Sequence, residues 1–151
     1  MSGMPDTSVP VDPGCAFCGI VAGDGSAHVV LDDEVAIAFL DRRPLFHGHV
    51  LLVPRGHYET LPDLPTDQLE GLFHRAQRLA SAVESSMGAK GTFVAMNNRV
   101  SQSVPHLHVH VVPRTKGDGL RGFFWPRTTY ADNTEAAEVA GRIRTVMEAD
   151  D

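Results

Sequence analysis

A chain of 151 residues, 42% hydrophobic and 21% charged, has the size and composition of one globular domain, which argues against wholesale disorder, collagen or a coiled coil. Its 13 basic and 19 acidic residues give a formal charge of −6. This acidic balance excludes a nucleic-acid polymer as the expected partner, because such binding needs a basic surface. Eight histidines are the unusual feature of the composition.

Residues 1–13 are rich in Pro, Ser and Asp and show no periodicity, which predicts a flexible tail. They contain no basic stretch followed by an apolar run, so no secretory signal is expected. The longest run without polar residues or glycine, 35–40, is far shorter than the ~20 residues that span a bilayer. We therefore expect a cytoplasmic protein with no membrane partner.

The only two cysteines, Cys15 and Cys18, lie three positions apart. A disulfide between them would close a very small loop and add little stability. The pair is consistent with a redox CxxC, with two free thiols, or with half of a zinc site. The spacing by itself leaves these alternatives open.

Short apolar runs bounded by turn residues predict five β-strands. They cover residues 27–31, 35–40, 49–53, 92–96 and 107–112. The first two runs flank an acidic turn at 32–34 and predict a hairpin. Pro54 and Pro113 are expected to end the third and the fifth strand, because proline cannot donate to a strand ladder.

Apolar residues at i, i+3, i+4 and i+7 predict a main helix that begins at Thr66 or Asp67 and ends at Gly88. A second helix is predicted over 134–148. Strands around one long helix, without βαβ alternation, predict an antiparallel α+β domain. We place this domain at 14–130, followed by a C-terminal helix and tail over 131–151.

Residues 106–112 read His-Leu-His-Val-His-Val-Val. Side chains alternate between the two faces of a strand, so His106, His108 and His110 are expected to share one face while the apolar residues pack into the core. Three alternating imidazoles are hard to explain by packing, because burying an imidazole costs desolvation. The row instead offers hydrogen-bond donors, acceptors and nucleophiles.

A metal site is the alternative interpretation of this histidine row. An HxHxH pattern can supply two or three ligands to zinc, and His47, His49 and His57 could add more. The sequence leaves open how many of these imidazoles meet one ion.

The pattern His-φ-His-φ-His-φ-φ, in which φ is apolar, resembles the motif of the histidine-triad (HIT) superfamily. The segment QSVPHLHVHVVPR at 102–114 is similar to the family's typical segment, residues 39–58 resemble its nucleotide-binding strand pair, and residues 15–24 resemble its N-terminal signature. The resemblance implies the HIT-like fold, a five-stranded antiparallel sheet with one main helix, here followed by a C-terminal helix. It also implies a homodimer.

The resemblance implies a nucleotide hydrolase or nucleotidyl transferase. In the family, the middle histidine attacks the α-phosphorus of a nucleoside phosphoramidate, a dinucleoside polyphosphate or a related nucleotide, and a covalent nucleotidyl-histidine forms. By motif position His108 is that nucleophile, the carbonyl of His106 holds its tautomer, and His110 contacts phosphate oxygens. Ser103 corresponds to a hydroxyl near the leaving group, and Gln102 to an amide on the phosphate.

The same resemblance implies further nucleotide-binding residues, with a purine as the expected base. Asp41 matches the residue that binds the ribose hydroxyls, although a solvated turn acid is the alternative. His49 matches a histidine that lines the site in some members. From Asn97 to Gln102 the chain is shorter than the family's usual glycine-rich loop and has no glycine. Phosphate contacts there are expected to be rearranged, with Arg99 either a phosphate ligand or solvated.

Some members of the superfamily hold a structural zinc through a CxxC, a histidine after the third strand and the first histidine of the triad. Cys15, Cys18, His57 and His106 match these positions, and two thiolates with two imidazoles suit a closed tetrahedral site. The resemblance therefore implies a structural zinc that the chemistry does not need. It would anchor an N-terminal strand to the triad strand.

Two other functions are compatible with the sequence: a nucleotide- or zinc-binding module without turnover, and a metallo-hydrolase whose triad holds a catalytic metal. One further segment, the aromatic run at 123–125, could stack on a base, cover a dimer partner or anchor the C-terminal tail.

Overall fold

The computed structural model describes residues 9–120 and 127–149. Most of the predicted tail and the aromatic run at 123–125 lie outside the described residues. The chain divides into two compact units, 1–118 and 119–151. The boundaries expected from the sequence, at 14–130 and 131–151, stay a prediction.

In the described part of the chain, five antiparallel strands form one sheet in the order β1-β2-β3-β5-β4. They are β1 (Val29–Asp32), β2 (Ala36–Leu40), β3 (Val50–Pro54), β4 (Gly91–Ala95) and β5 (Val109–Arg114). The hairpin predicted from the first two apolar runs is confirmed, since β1 pairs with β2. All residues of the central strand β3 are buried. The α+β fold class with a five-stranded antiparallel sheet is therefore as the sequence predicts.

Pro54 ends its strand as expected, whereas Pro113 does not. Pro54 is the last residue of β3, opposite Ala36 of β2, and Pro113 lies inside β5, opposite Thr92 of β4. The pairing of β3 with β5 spans only Val50 to Leu52 of β3. One side of each proline is thus unpaired, so its missing N–H need not break the ladder.

The described residues contain three α-helices: α1 (Ala16–Val21), α2 (Leu69–Ser86) and α3 (Asn133–Ala149). The sequence predicts α2 and α3, although a 3₁₀ turn over Thr66–Gln68 moves the start of α2 one turn later. The expectation of an N-terminal strand is wrong, because the segment after Cys15 forms α1. Its six residues are too few to show a helical period.

Each face of the sheet carries its own apolar cluster. One cluster joins the sheet to α2, and its buried members are Ala36, Ala38, Val50, Leu52, Leu64, Leu72, Ala76, Leu79, Val83, Leu107, Val109 and Val111. The other lies on the α1 side and contains Cys15, Phe17, Cys18, Ile37, Phe39, Leu51 and Val53. Because alternate residues of β2 and β3 enter different clusters, the sheet is covered on both faces where the histidines lie.

The second unit contributes α3. Ile143 and Met147, which the sequence places on the apolar side of this helix, are 61% and 63% exposed. Among the described residues, no helix is long and apolar enough to cross a membrane.

An ion pair ties α2 to the β1–β2 turn. Arg75 donates from Nε to Asp33 Oδ2 at 2.8 Å, and the two side chains are 12% and 22% exposed. Burial raises the pKa of Asp33, but the N–H groups of Val35 and Ala36 and the Arg75 guanidinium outweigh it, so the net pKa is lowered.

We predict that Arg75→Met lowers the free energy of unfolding by about 1–3 kcal/mol, because the part-buried Asp33 loses a charged donor. Arg78→Met, an exposed arginine on the same helix, is the control and is expected to change it by less than about 0.5 kcal/mol. Urea titration of both variants measures the two effects. Equal stabilities for the two variants would contradict the role given to Arg75.

Candidate functional site

The three triad histidines lie on the sheet face opposite α2. His106 and His108 directly precede β5, and His110 is the second residue of that strand. The alternation predicted from the sequence is confirmed, because the intervening apolar residues pack in the α2 cluster. His106 and His108 are 0% and 3% exposed, whereas His110 is only partly buried.

The backbone fixes the tautomer of His108. Its Nδ1 lies 2.8 Å from the carbonyl oxygen of His106, and because a carbonyl can only accept, Nδ1 must carry the proton. In the neutral ring the free lone pair is then on Nε2. The ring of Phe17 packs edge-on against this imidazole, with centroids 5.2 Å apart, and helps to hold its plane.

A second chain of hydrogen bonds fixes the tautomer of His110. The N–H of Leu45 donates to His49 Nδ1 at 3.0 Å, so the neutral His49 ring carries its proton on Nε2. His49 Nε2 lies 2.9 Å from His110 Nδ1 and donates to it. His110 therefore keeps its own proton on Nε2. The neighbouring imidazoles thus differ: His108 offers a lone pair and His110 offers an N–H donor.

Burial keeps the imidazoles of His49 and His110 neutral at ordinary pH. It lowers the pKa of His110 to about 4, with the nearby His108 and His49 acting in the same direction. Burial also lowers the pKa of His49, although the Asp41 carboxylate opposes it. Both rings are therefore held in the neutral forms that the hydrogen-bond chain requires.

Asp41 follows β2 and stands beside the histidine row. Its Oδ1 accepts from the N–H of Arg43 at 2.9 Å, which forms a local turn, while Oδ2 lies 3.6 Å from His49 Nε2. Ligand atoms of Asp41, His49 and His110 are close enough to hold a metal. A metal on His49 Nε2 would move that ring's proton to Nδ1, facing the Leu45 N–H, and two donors would then oppose each other. The hydrogen bonds thus favour a proton chain over a metal site here.

The loop that replaces the family's glycine-rich segment has strained backbone. Arg99 and Ser101 have φ values of 71° and 62°, the left-handed region that glycine adopts more readily. Gln102 closes the loop, accepting from the Arg99 N–H at 2.7 Å and donating to the Glu59 carbonyl at 2.6 Å. Asn97 donates to the Ser101 carbonyl at 3.2 Å.

These contacts show which predicted site residues come together. Asp41, His49, His108 and His110 form one group around the imidazole row. Asn97 and Gln102 are engaged within the loop described above, and Ser103 is exposed beside it. The pKa of Asp63 is lowered, first by the Thr60 hydroxyl and also by the charge of Arg99, so the guanidinium of Arg99 lies near Asp63.

The four residues matched to a zinc site form a compact cluster. Nδ1 of His106 lies 3.5 Å from Cys15 Sγ and 3.6 Å from Cys18 Sγ, and Nδ1 of His57 lies 3.4 Å from Cys18 Sγ. A tetrahedral zinc bonded to sulfur at ~2.3 Å and to nitrogen at ~2.0–2.1 Å holds such atoms about 3.5 Å apart. The donor set and its spacing fit this ion.

His106 connects the two groups of residues. Its side chain belongs to the cluster, with Nε2 donating to the Pro54 carbonyl at 3.0 Å, while its own carbonyl accepts from His108. Burial lowers the pKa of His106 to about 4, so its ring is neutral, as a metal ligand must be.

Two groups that help to hold the histidine side chains were not predicted from the sequence. The position of Phe17 between the two cysteines could have indicated it, because cysteines that lie beside the triad also bring Phe17 there. The N–H of Leu45 carries none, because a backbone donor is the same in every residue except proline.

We predict that His110 titrates with a midpoint near pH 4, as its lowered pKa of about 4 indicates. Between pH 7 and 5 its ring is expected to remain neutral with the proton on Nε2, which NMR of the imidazole nitrogens observes directly. The unfolded chain binds a proton near pH ~6.5, so the free energy of unfolding is expected to fall as the pH is lowered from there towards 4.

The variant His110→Gln should show a shallower fall over the same pH interval, because one depressed histidine is removed. A His110 midpoint above pH ~6, the ordinary range of an exposed histidine, would contradict the burial and the tautomer assigned to it.

Comparison with known sequences agrees with this geometry. The sequence model of the HIT domain family matches residues 23–117. An uncharacterised HIT-like protein of Methanocaldococcus jannaschii is 39% identical over 107 residues, which cover 70% of this chain and 82% of that protein. Adenylylsulfatase HINT3 of Arabidopsis thaliana is 30% identical over 108 residues, covering 70% of this chain and 55% of the plant protein.

Solved structures show the same fold. SMU.412c of Streptococcus mutans matches with a TM-score of 0.81 and 33% identity, over 90% of this chain and 87% of that chain. A Zn-bound histidine triad family protein of Mycobacterium smegmatis matches with a TM-score of 0.67 and 33% identity, over 91% of this chain and 98% of that one. With the family match and these relatives together, this chain belongs to the HIT domain family.

Proposed function

We propose that this protein is a nucleotide hydrolase or nucleotidyl transferase that acts at the α-phosphate through a covalent nucleotidyl-histidine on His108. The observation that carries the proposal is the 2.8 Å hydrogen bond from His108 Nδ1 to the His106 carbonyl. It places the lone pair of the neutral ring on Nε2, and a neutral imidazole with a free lone pair is the form of histidine that attacks phosphorus.

The reaction follows from the two tautomers. The Nε2 lone pair of His108 forms the N–P bond as the bond from phosphorus to the leaving group breaks, and the leaving group departs with the electron pair and takes up a proton. The His106 carbonyl stabilises the positive charge that develops on the attacking ring. His110, with its proton on Nε2, donates to a phosphate oxygen. Water or another acceptor then breaks the N–P bond and returns the electron pair to His108.

The remaining predicted residues take supporting roles in this proposal. Asp41 accepts from the ribose hydroxyls with the oxygen that its local turn leaves outside, and His49 holds His110 in its donor form. Ser103 lies near the leaving group. Gln102 and Asn97 shape the adjoining loop, and each reaches phosphate only by giving up a contact within it.

The substrate class is a nucleoside phosphoramidate, a dinucleoside polyphosphate or a related nucleotide, with a purine base. The adenylylsulfatase activity in the name of the Arabidopsis relative supports an adenylyl group as the part recognised. The acidic net charge of −6 is compatible with a single nucleotide held by imidazoles rather than by a basic patch.

We infer that Cys15, Cys18, His57 and His106 hold a structural zinc. The sulfur–nitrogen distances fit a tetrahedral ion, and the Zn-bound Mycobacterium smegmatis protein supports the choice of metal. Four protein ligands close the coordination shell, so zinc would contribute stability and leave the phosphate chemistry to the histidines.

We also infer a homodimer that forms through β4. This strand stands at the edge of the sheet, next to β5 alone among the described strands, and an uncovered edge is a template for another strand. Val94 on β4 is 44% exposed and Phe73 on α2 is 40% exposed, so apolar surface is available on both elements.

We predict that His108→Ala lowers the turnover of adenosine phosphoramidates and dinucleoside polyphosphates by about 10⁴-fold or more, as loss of an attacking residue does. His74→Ala, which alters an exposed histidine of α2, is the control and is expected to retain activity within about twofold. Release of the nucleoside monophosphate is the measurement, with thermal unfolding to verify that both variants fold.

Full activity in His108→Ala would overturn the assignment of the nucleophile. Nucleotide binding by the unaltered protein without monophosphate release, across the whole substrate panel, would overturn turnover itself and indicate a binding module.

We predict that Val94→Lys converts the dimer to a monomer, because a charge on the edge strand opposes strand pairing. Sedimentation equilibrium measures the mass, and Val100→Lys, a loop position that is 81% exposed, is the matched control expected to stay dimeric. A monomeric unaltered protein, or a dimeric Val94→Lys variant, would contradict assembly through β4.

A further inference from the structure

The chain segment just before the two cysteines is tied to the metal-binding cluster through its backbone. The N–H of Asp12 donates to Cys18 Sγ at 3.5 Å, and the carbonyl of Asp12 accepts from the N–H of Cys15 at 3.0 Å. The carbonyl of Pro10 accepts from the N–H of His57 at 2.6 Å. Three of the four cluster residues are therefore contacted by a stretch that the sequence assigns to the flexible tail.

The side chain of Asp12 takes part in a local turn. Its Oδ1 accepts from the N–H of Gly14 at 2.9 Å, a local turn that fixes the carboxylate plane. Its second oxygen, Oδ2, lies 4.0 Å from His57 Nε2. The carboxylate therefore faces the nitrogen of His57 that points away from the thiols.

The two histidines of the cluster present the same ring nitrogen to the cysteines, and this indicates what Asp12 can do. Each presents Nδ1 to the cysteines, so each neutral ring carries its proton on Nε2 when Nδ1 is a ligand. In His106 this N–H donates a hydrogen bond to the Pro54 carbonyl at 3.0 Å. Metal-bound imidazoles nearly always donate from the second nitrogen to a carboxylate or a carbonyl. Asp12 stands at the corresponding position for His57.

The separation of 4.0 Å is longer than a direct hydrogen bond. The Asp12 side chain is 51% exposed and that of His57 is 20% exposed, so there is room for a small rotation or for one bridging water. Either arrangement lets the carboxylate accept the His57 proton.

We propose that Asp12 is a positioning residue of the metal centre, whose carboxylate orients His57 and whose backbone N–H supports the Cys18 thiolate. This rests on the zinc site inferred under the proposed function. It assigns residues 10–14 to the outer shell of the metal, so that binding of the ion and ordering of this segment occur together.

The test compares zinc affinity in two matched variants. Asp12→Asn removes the carboxylate charge and can keep the turn to Gly14. Asp24→Asn removes a carboxylate that makes the same type of turn, accepting from the Ser26 N–H at 2.8 Å, and is the control. Competition with a chromogenic zinc chelator measures the dissociation constant. We expect Asp12→Asn to raise it by about 10–100-fold, and Asp24→Asn to leave it within about twofold.

The outcomes separate this proposal from the one on which it rests. Failure of the unaltered protein to bind one zinc would overturn the metal site, and the role of Asp12 with it. Binding of one zinc with equal affinity by the unaltered protein and by Asp12→Asn would overturn only the role of Asp12.

Two further readouts keep the test decisive. Cobalt(II) substitution should give the same tetrahedral visible spectrum in Asp12→Asn, since the four ligands are unchanged, whereas loss of that spectrum would show Asp12 to be a ligand and overturn its positioning role. In the unaltered zinc-bound protein, NMR should show a slowly exchanging Nε2 proton on His57. Exchange as fast as that of an exposed imidazole would contradict the contact with Asp12.

Discussion

One hydrogen bond organises the site: the Nδ1–H of His108 donates to the carbonyl of the residue two positions earlier, at 2.8 Å. It decides which nitrogen of the ring is free, and it makes the position of His108 depend on the backbone of His106. That backbone is in turn held by the side chain of His106, which lies among the two cysteines and donates to the Pro54 carbonyl. The imidazole proposed as the nucleophile is thus placed through the cluster of Cys15, Cys18, His57 and His106.

The same arrangement makes a row of buried imidazoles tolerable. Neutral imidazoles lose hydration on burial, and hydrogen bonds to their nitrogens offset that cost. The carbonyls of His106 and Pro54 and the N–H of Leu45 supply them. Among the described residues, no buried side-chain nitrogen or oxygen lacks a hydrogen-bond partner. Each of these rings thus has a hydrogen-bond partner inside the protein, and Nε2 of His108 and of His110 is left for the ligand proposed above.

The period-two and helical patterns of apolar residues predict those features of the fold that depend on side-chain type. They placed the strands, the main helix and the alternation of the histidine row, because burial of one face leaves its mark on the sequence. They fail at α1, which is shorter than two helical turns, and at Pro113, where the lack of pairing on one side lets a proline stay inside the strand.

The sequence could not predict the hydrogen bonds and the conformation of the backbone. The donors and acceptors that fix the tautomers are peptide groups, at Leu45, Pro54 and His106. The side chains of these residues give no indication of the hydrogen bonds that their peptide groups make. The loop at 97–102 is similar: its lack of glycine is visible, but only the φ values of Arg99 and Ser101 show that it keeps left-handed backbone. Asp12 lay in a segment without periodicity, and its contacts depend on the turn before Cys15.

The most direct measurement of the central claim is the identification of the covalent intermediate. The protein is mixed with a reactive adenosine phosphoramidate, quenched within the first turnover, digested, and mapped by mass spectrometry under conditions that preserve the N–P bond. We expect a nucleotidyl group on His108, attached through Nε2. A nucleotidyl group on another residue, or product formed in a single turnover with no adduct at any time, would contradict it.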